Sequence, residues 1–248
     1  MSQKKKKNFQ IVVSRYNEDI SWTFKYSPNV IIYNKGQDYI PNAISLPNVG
    51  RESHTYLYHI ISNYHQLADR TVFVQGTYPS FGYQSNKGGH LYSNYHFDDY
   101  INSDQEIELI ITSCVSSNLT KLSIRKGYDK YRNIKRPISK MPSNTFDDHW
   151  LNFTNFSDFK NYVQQLKNSQ KGTHTLESFW KKYISDKHQL PPFLYYNQGA
   201  QFSVSRDIIH QHSLTFYQSL LKELDHNKNP YQGYFMEWLW PYLLHSPN

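Results

Sequence analysis

Near its start the chain reads Phe9-Gln10-Ile11-Val12-Val13-Ser14-Arg15-Tyr16-Asn17-Glu18-Asp19. The β-branched run over 9–14 predicts a buried strand, and the polar residues after it predict the loop that leaves it. The same pairing recurs twice. Asn29-Val30-Ile31-Ile32-Tyr33 predicts a second strand, ending in Asn34-Lys35-Gly36. Thr71-Val72-Phe73-Val74 predicts a third, ending in Gln75-Gly76. Between them, Tyr56, Leu57, Ile60, Ile61 and Tyr64 recur at three- and four-residue spacing, which predicts a helix over 51–66. Pro41 and Pro47 make residues 37–50 a loop. Strand, strand, helix, strand is an α/β order, and in open α/β sheets ligands bind beyond the carboxyl ends of the strands. Arg15, Asn17, Glu18, Asn34, Lys35, Gln75 and Gly76 are therefore candidate binding residues.

Residues 77–150 read as irregular, with a strand over 107–113. Helices are predicted over 157–168 and 176–184. Pro191-Pro192 breaks the chain before Phe193-Leu194-Tyr195-Tyr196. A helix follows from Ser205 or Arg206 to Glu223, and a last helix carries Glu237. With no internal repeat and no low-complexity linker, residues 9–248 read as one domain behind a basic tail, 1–8.

A chain of 248 residues can bury a real core. Its 22 tyrosines suit ligands that are part apolar and part hydroxylated, such as sugars, although a general enrichment in Lys, Asn, Tyr and Ile accounts for the number equally well. The net charge of +7 includes the Lys4–Lys7 run, a solvated tail that can also touch an anionic membrane surface. The rest of the excess suits a phosphate-bearing ligand. The single cysteine, Cys114, excludes an internal disulfide and a Cys-rich metal site. No apolar run is long enough for a transmembrane segment and no signal peptide is visible, so a cytoplasmic protein is expected. A nucleic-acid partner would rest on charge alone and is not expected.

The unusual chemistry lies in Gly233-Tyr234-Phe235-Met236-Glu237-Trp238-Leu239-Trp240. Periodicity alone favours an amphipathic helix with Glu237 on its wet face. The aromatic neighbours favour a buried carboxylate with a raised pKa, a proton acceptor suited to neutral pH. Asp98-Asp99 and Asp147-Asp148 are the fallback positions for a divalent cation such as Mn2+ or Mg2+. The chain lacks His-Glu-x-x-His, Gly-x-Ser-x-Gly, Gly-x-x-x-x-Gly-Lys and Gly-x-Gly-x-x-Gly, which disfavours zinc-protease, triad-hydrolase, P-loop and dinucleotide-binding chemistry.

Several segments resemble known families. Ile11-Val12-Val13-Ser14-Arg15-Tyr16-Asn17-Glu18 is similar to the first strand and base-contacting loop of GT-A glycosyltransferases. Phe73-Val74-Gln75-Gly76-Thr77-Tyr78-Pro79, Gly199 to Ile209, and Met236-Glu237-Trp238-Leu239-Trp240 resemble three motifs of the core-2 β-1,6-N-acetylglucosaminyltransferase and peptide xylosyltransferase family. Asn48-Val49-Gly50-Arg51-Glu52-Ser53-His54-Thr55-Tyr56-Leu57 is similar to a hallmark of a large uncharacterised family of GT-A-like proteins, and that likeness runs along most of the chain. Departures exist: Thr77 stands where the transferase motif has Asp, Met236 replaces an Asp, and Trp240 falls one residue early.

The resemblance implies a single GT-A-like, Rossmann-like α/β domain with a central mixed sheet flanked by helices. It implies an inverting glycosyltransferase that uses a nucleotide sugar, with UDP as carrier and a glycan or other hydroxyl acceptor. Glu237 is then the general base. Arg51, Glu52, His54 and Arg206 join the donor-binding candidates, and metal-independent chemistry is favoured. The alternative is a non-catalytic carbohydrate-binding or scaffold protein on the same fold.

Overall fold

Ile11 and Val13 point to one side of strand β1 (Phe9–Arg15) and Val12 to the other, so a single strand serves two apolar layers. In the computed structural model, which describes residues 8–78, 96–111, 113–124, 150–152 and 175–245, the following elements build around it. A 3-10 helix (Ser21–Tyr26), β2 (Val30–Asn34), β3 (Ile44–Ser45), α1 (Arg51–Ser62) and β4 (Arg70–Gln75) come first. Then come α2 (Phe97–Asn102), β5 (Ile107–Leu109), β6 (Ser113–Ser116), β7 (Lys121–Ile124) and β8 (Trp150–Asn152). The last part holds α3 (Leu176–Tyr183), β9 (Phe193–Tyr196), β10 (Phe202–Ser205), α4 (Arg206–Ile209), α5 (Leu214–Lys222) and α6 (Tyr231–His245).

The central sheet has six strands in the order β3-β2-β1-β4-β10-β5. β3, β2, β1 and β4 are mutually parallel, and β10 runs antiparallel to both β4 and β5. This is a mixed, Rossmann-like sheet flanked by helices. The register decides where a site can form. Arg15 pairs with Asn34 and Ser14 with Gln75, so three parallel strands end at one level. β10 runs the other way, and its end at Ser205 lies beside Arg70, at the start of β4.

A second, antiparallel sheet has the order β8-β7-β6-β9. Helix α6 packs against β9, α1 and α3 and joins the two sheets through one core. That core runs from Val12, Tyr33 and Phe73 through Phe235 and Leu239 to Cys114 and Leu194. Phe235 and Leu239 are fully buried, and each contributes about 1.5–3 kcal/mol relative to an exposed side chain. α6 is apolar on all sides, as a helix enclosed on all sides must be. Among the described residues no helix is long and apolar enough to cross a membrane.

The predicted strands and the first helix appear within a few residues of their expected limits. Three details differ. The expected strand over 107–113 is broken into β5 and β6, which belong to different sheets. The single helix expected up to Glu223 is two helices, because Ser205 and Ser213 each accept a hydrogen bond from the backbone three residues on and cap separate N-termini. Residues 44–45 of the expected loop form the edge strand β3. The helix expected over 157–168 and the Lys4–Lys7 tail lie outside the described residues.

Candidate active site

Beyond the carboxyl ends of β1, β2 and β4 lies a cleft of about 340 Å3. β1 and its loop supply Ser14, Arg15, Tyr16 and Glu18, β2 leads into Lys35, and β4 ends in Gln75. The entry to α1 supplies Asn48, Arg51 and Glu52, and the segment before α6 supplies Lys228 and Asn229. Four basic side chains face two carboxylates in this wall, so it favours an anionic ligand.

Two of the cations have structural duties. Arg15 forms a bidentate pair with Asp38 at 2.8 and 2.7 Å and also donates to Asn34 Oδ1 and the Glu18 carbonyl. The Asp38 hydrogen bonds raise its pKa further. Asn34 in turn accepts from Gly36 N and donates to the Asp38 carbonyl, so this group fixes the loops after β1 and β2. Lys35 is 4% exposed and donates to the carbonyls of Val49 and Arg51. Burial pulls its pKa down to about 8, with Glu52 opposing.

Those carbonyls are available because the chain enters α1 through two left-handed residues, Gly50 at φ 63° and Arg51 at φ 54°. A Cβ at Gly50 would lie 2.7 Å from that of His54 and 2.8 Å from that of Leu224, so glycine is required by space as well as by φ. Arg51 has no such excuse. A non-glycine residue held there is strained, and such strain gathers at functional sites. The turn sends the Arg51 side chain across Gly233 and over the Tyr234 ring, 4.3 Å from its centroid. Burial opposes its charge, but Glu52 and Glu237 outweigh burial and hold its pKa above the ordinary value.

Glu237 lies one turn further along the same helix as Gly233 and Tyr234. It is 7% exposed within α6, and its Oε1 accepts from Gly199 N at 2.7 Å. Gly199 and Ala200 form a second left-handed turn, at φ 79° and 50°. Burial, opposed by Arg51 and the Gly199 N–H and assisted by Glu52, lifts the Glu237 carboxyl to about 7. The wet-face reading of Glu237 is thus corrected: Gly233, Trp240 and Pro241 on the neighbouring turns of α6 are buried too.

A family model described as a protein of unknown function (DUF3431) matches residues 11–248. The chain belongs to this family. No curated protein and no solved structure matches it. The span that the DUF3431 model matches contains every residue of the cleft wall, from Ser14 to Asn229, together with Glu237.

In this DUF3431 member the structure brings Arg15, Glu18, Lys35, Arg51, Glu52 and Gln75 together in the cleft. Glu18 Oε2 accepts from Tyr16 N and Asn17 N and bends the β1 loop back on itself. Gly76 makes room for that carboxylate, which would lie 2.6 Å from an added Cβ. Gly76, Asn17 and Asn34 therefore shape the cleft without lining it. His54 sits just behind, with its Nε2 3.5 Å from Asp225, and burial lowers its pKa to about 4, Lys35 adding to this and Asp225 opposing.

Arg206 is not part of this group. It pairs with Asp69 and the Leu67 carbonyl at the start of β4, the opposite end of the sheet, because β10 is antiparallel. The fallback cation residues are likewise engaged elsewhere. Asp98 accepts from the Tyr26 hydroxyl at 2.7 Å, and Asp99 accepts from His96 N as the cap of α2. Among the described residues no group of three or more His, Cys, Asp or Glu could hold a metal ion. Asp147-Asp148 lies outside the described residues. Ser14, Tyr16, Asn48, Lys228 and Asn229 are the cleft residues that sequence reasoning missed. Tyr16 and Asn48 sit inside segments singled out by their motifs, whereas nothing local marks Lys228 and Asn229.

Proposed function

We propose that the chain is an inverting glycosyltransferase that moves a sugar from a nucleotide donor, with UDP as carrier, to an acceptor hydroxyl. The observation that carries this reading is the cleft at the carboxyl ends of three parallel strands, with Arg51 and Lys228 in its wall and Arg51 laid over Gly233 and Tyr234 of α6, the helix that carries the buried Glu237. Glu237 takes the proton of the acceptor hydroxyl. The acceptor oxygen bonds to the anomeric carbon, and the bond from that carbon to the diphosphate oxygen breaks with inversion. Negative charge grows on the leaving diphosphate, where Arg51 and Lys228 lie in the cleft wall to offset it. The Gly199 N–H holds Oε1 of Glu237 and so orients the carboxylate.

The runner-up is a non-catalytic sugar-binding protein on the same fold. It draws on the fact that Arg51 lines the cleft whereas Glu237, 7% exposed, is not among the residues of its wall. A thermal-shift screen of nucleotide sugars, each with and without Mn2+, tests donor binding, since a ligand of the folded state must raise Tm. Glu237→Gln then separates the two readings. The transferase reading expects donor affinity within about threefold of wild type and kcat lowered by about 10^2–10^4, the usual range for loss of a general base. Absence of transfer by the wild-type protein with every donor that binds would support the binding protein instead.

A further inference from the structure

Glu52 is the second residue of α1, lines the cleft, and is 7% exposed. Its Oε2 lies 3.8 Å from Arg51 Nε, beyond hydrogen-bond length, while its Oε1 is buried with no hydrogen-bond partner. The start of a helix favours an acidic side chain electrostatically, but that does not supply the missing bond. A carboxylate oxygen taken out of water without a donor is costly, and buried polar atoms are as a rule satisfied. One turn on, the Tyr56 hydroxyl is also buried and unpartnered. Glu52, a residue of the cleft wall, thus carries a buried acceptor atom without a donor.

The charge pattern restricts what can supply it. A phosphate oxygen has no proton to give and is repelled by the carboxylate. The phosphates of a ligand belong with Arg51 and Lys228, and the group beside them that meets Glu52 must be an O–H donor. On the nucleotide-sugar reading, on which this inference rests, hydroxyls flank the diphosphate on both sides, on the ribose and on the transferred sugar. We propose that Glu52 is the specificity residue of the cleft, accepting a hydrogen bond from a hydroxyl next to the diphosphate. Arg51 and Glu52, adjacent in the chain, then divide the ligand between charge and hydroxyl recognition.

The test is calorimetric titration of the full chain with UDP, 2′-deoxy-UDP, 3′-deoxy-UDP and UDP-sugars, on wild type, Glu52→Gln and Glu52→Asp. If the hydroxyl is on the ribose, one deoxy analogue binds wild type at least tenfold more weakly than UDP, and that gap narrows in Glu52→Gln, whose neutral amide oxygen is a weaker acceptor. If it is on the transferred sugar, UDP-sugars exceed UDP in wild type and lose that advantage in both variants. The deoxy arms on wild type need no substitution and stand even if a variant misfolds. Equal affinities for all these ligands in wild type and variants overturn the inference while leaving the transferase reading intact. A loss in Glu52→Gln seen only with Mn2+ present also overturns it, because Glu52 would then hold a cation. Failure of any nucleotide to bind wild type overturns both.

Discussion

Glu237 and the buried histidines titrate in opposite senses. His54 and His59 have pKa values near 4, both through burial first, and stay neutral in the fold while the unfolded chain protonates them near 6.5. Their stabilisation is complete above pH 6.5 and is lost as pH falls toward 4; His212 adds in the same sense. Glu237 behaves in reverse. Its raised pKa makes the fold more stable below the unfolded value of 4.5, and that contribution is lost as pH rises through about 7. Between pH 4.5 and 6.5 the wild-type protein should therefore gain stability with rising pH, and Glu237→Gln should steepen that slope by about 1.4 kcal/mol per pH unit. Urea unfolding at a series of pH values measures it; an unchanged slope would mean Glu237 is ionised throughout. If Glu237 is also the base, kcat in the wild type should rise with pH up to about 7. The burial of Glu237 is legible in its aromatic neighbours. Its partner Gly199 is not, because a backbone N–H delivered by a left-handed turn leaves no mark on composition or period.

The turn Val49-Gly50-Arg51 that opens α1 is held by more than its own residues. Gly50 N donates to the Asn227 carbonyl at 2.8 Å, and the Lys35 ammonium draws in two carbonyls of the turn. Gly50→Ala would add the strain of an alanine at positive φ and two contacts below 3 Å, for an expected loss of about 2–4 kcal/mol in a denaturant titration. Lys35→Met should keep much of the packing but free the turn, weakening donor affinity by an expected tenfold or more through misplacement of Arg51. An unchanged Kd would show that the helix holds the turn alone. The strands and α1 are legible because their apolar periods match the packing that the fold delivers. The division of α4 from α5 is less so, although the two capping serines, Ser205 and Ser213, are visible signals for it. The break between β5 and β6 has no local signal, because it reflects which sheet each segment joins.

At the level of the whole molecule, the candidate site lies at one end of the sheet. The parallel strands deliver Arg15, Lys35 and Gln75 to that end, and the rule about carboxyl ends finds them from sequence. The same rule says nothing about an antiparallel strand, which is why Arg206 reads as a ligand in its motif and stands instead against Asp69. Arg206→Ala should leave donor affinity within twofold of wild type and lower stability by no more than about 1 kcal/mol, as for an exposed ion pair. Lys228 and Asn229 reach the cleft through long-range packing, with the neighbouring Asn227 carbonyl held by Gly50 N, so residue type and local pattern give no hint of them. That packing also buries two indoles of α6. Trp238 and Trp240 follow Glu237 in sequence, the Trp240 Nε1–H donates to Ser53 Oγ at 3.0 Å, and Ser53 follows Glu52. The molecule therefore carries its own optical gauge: the emission of these indoles should shift when the cleft fills or Glu237 changes charge, so occupancy can be followed without a label.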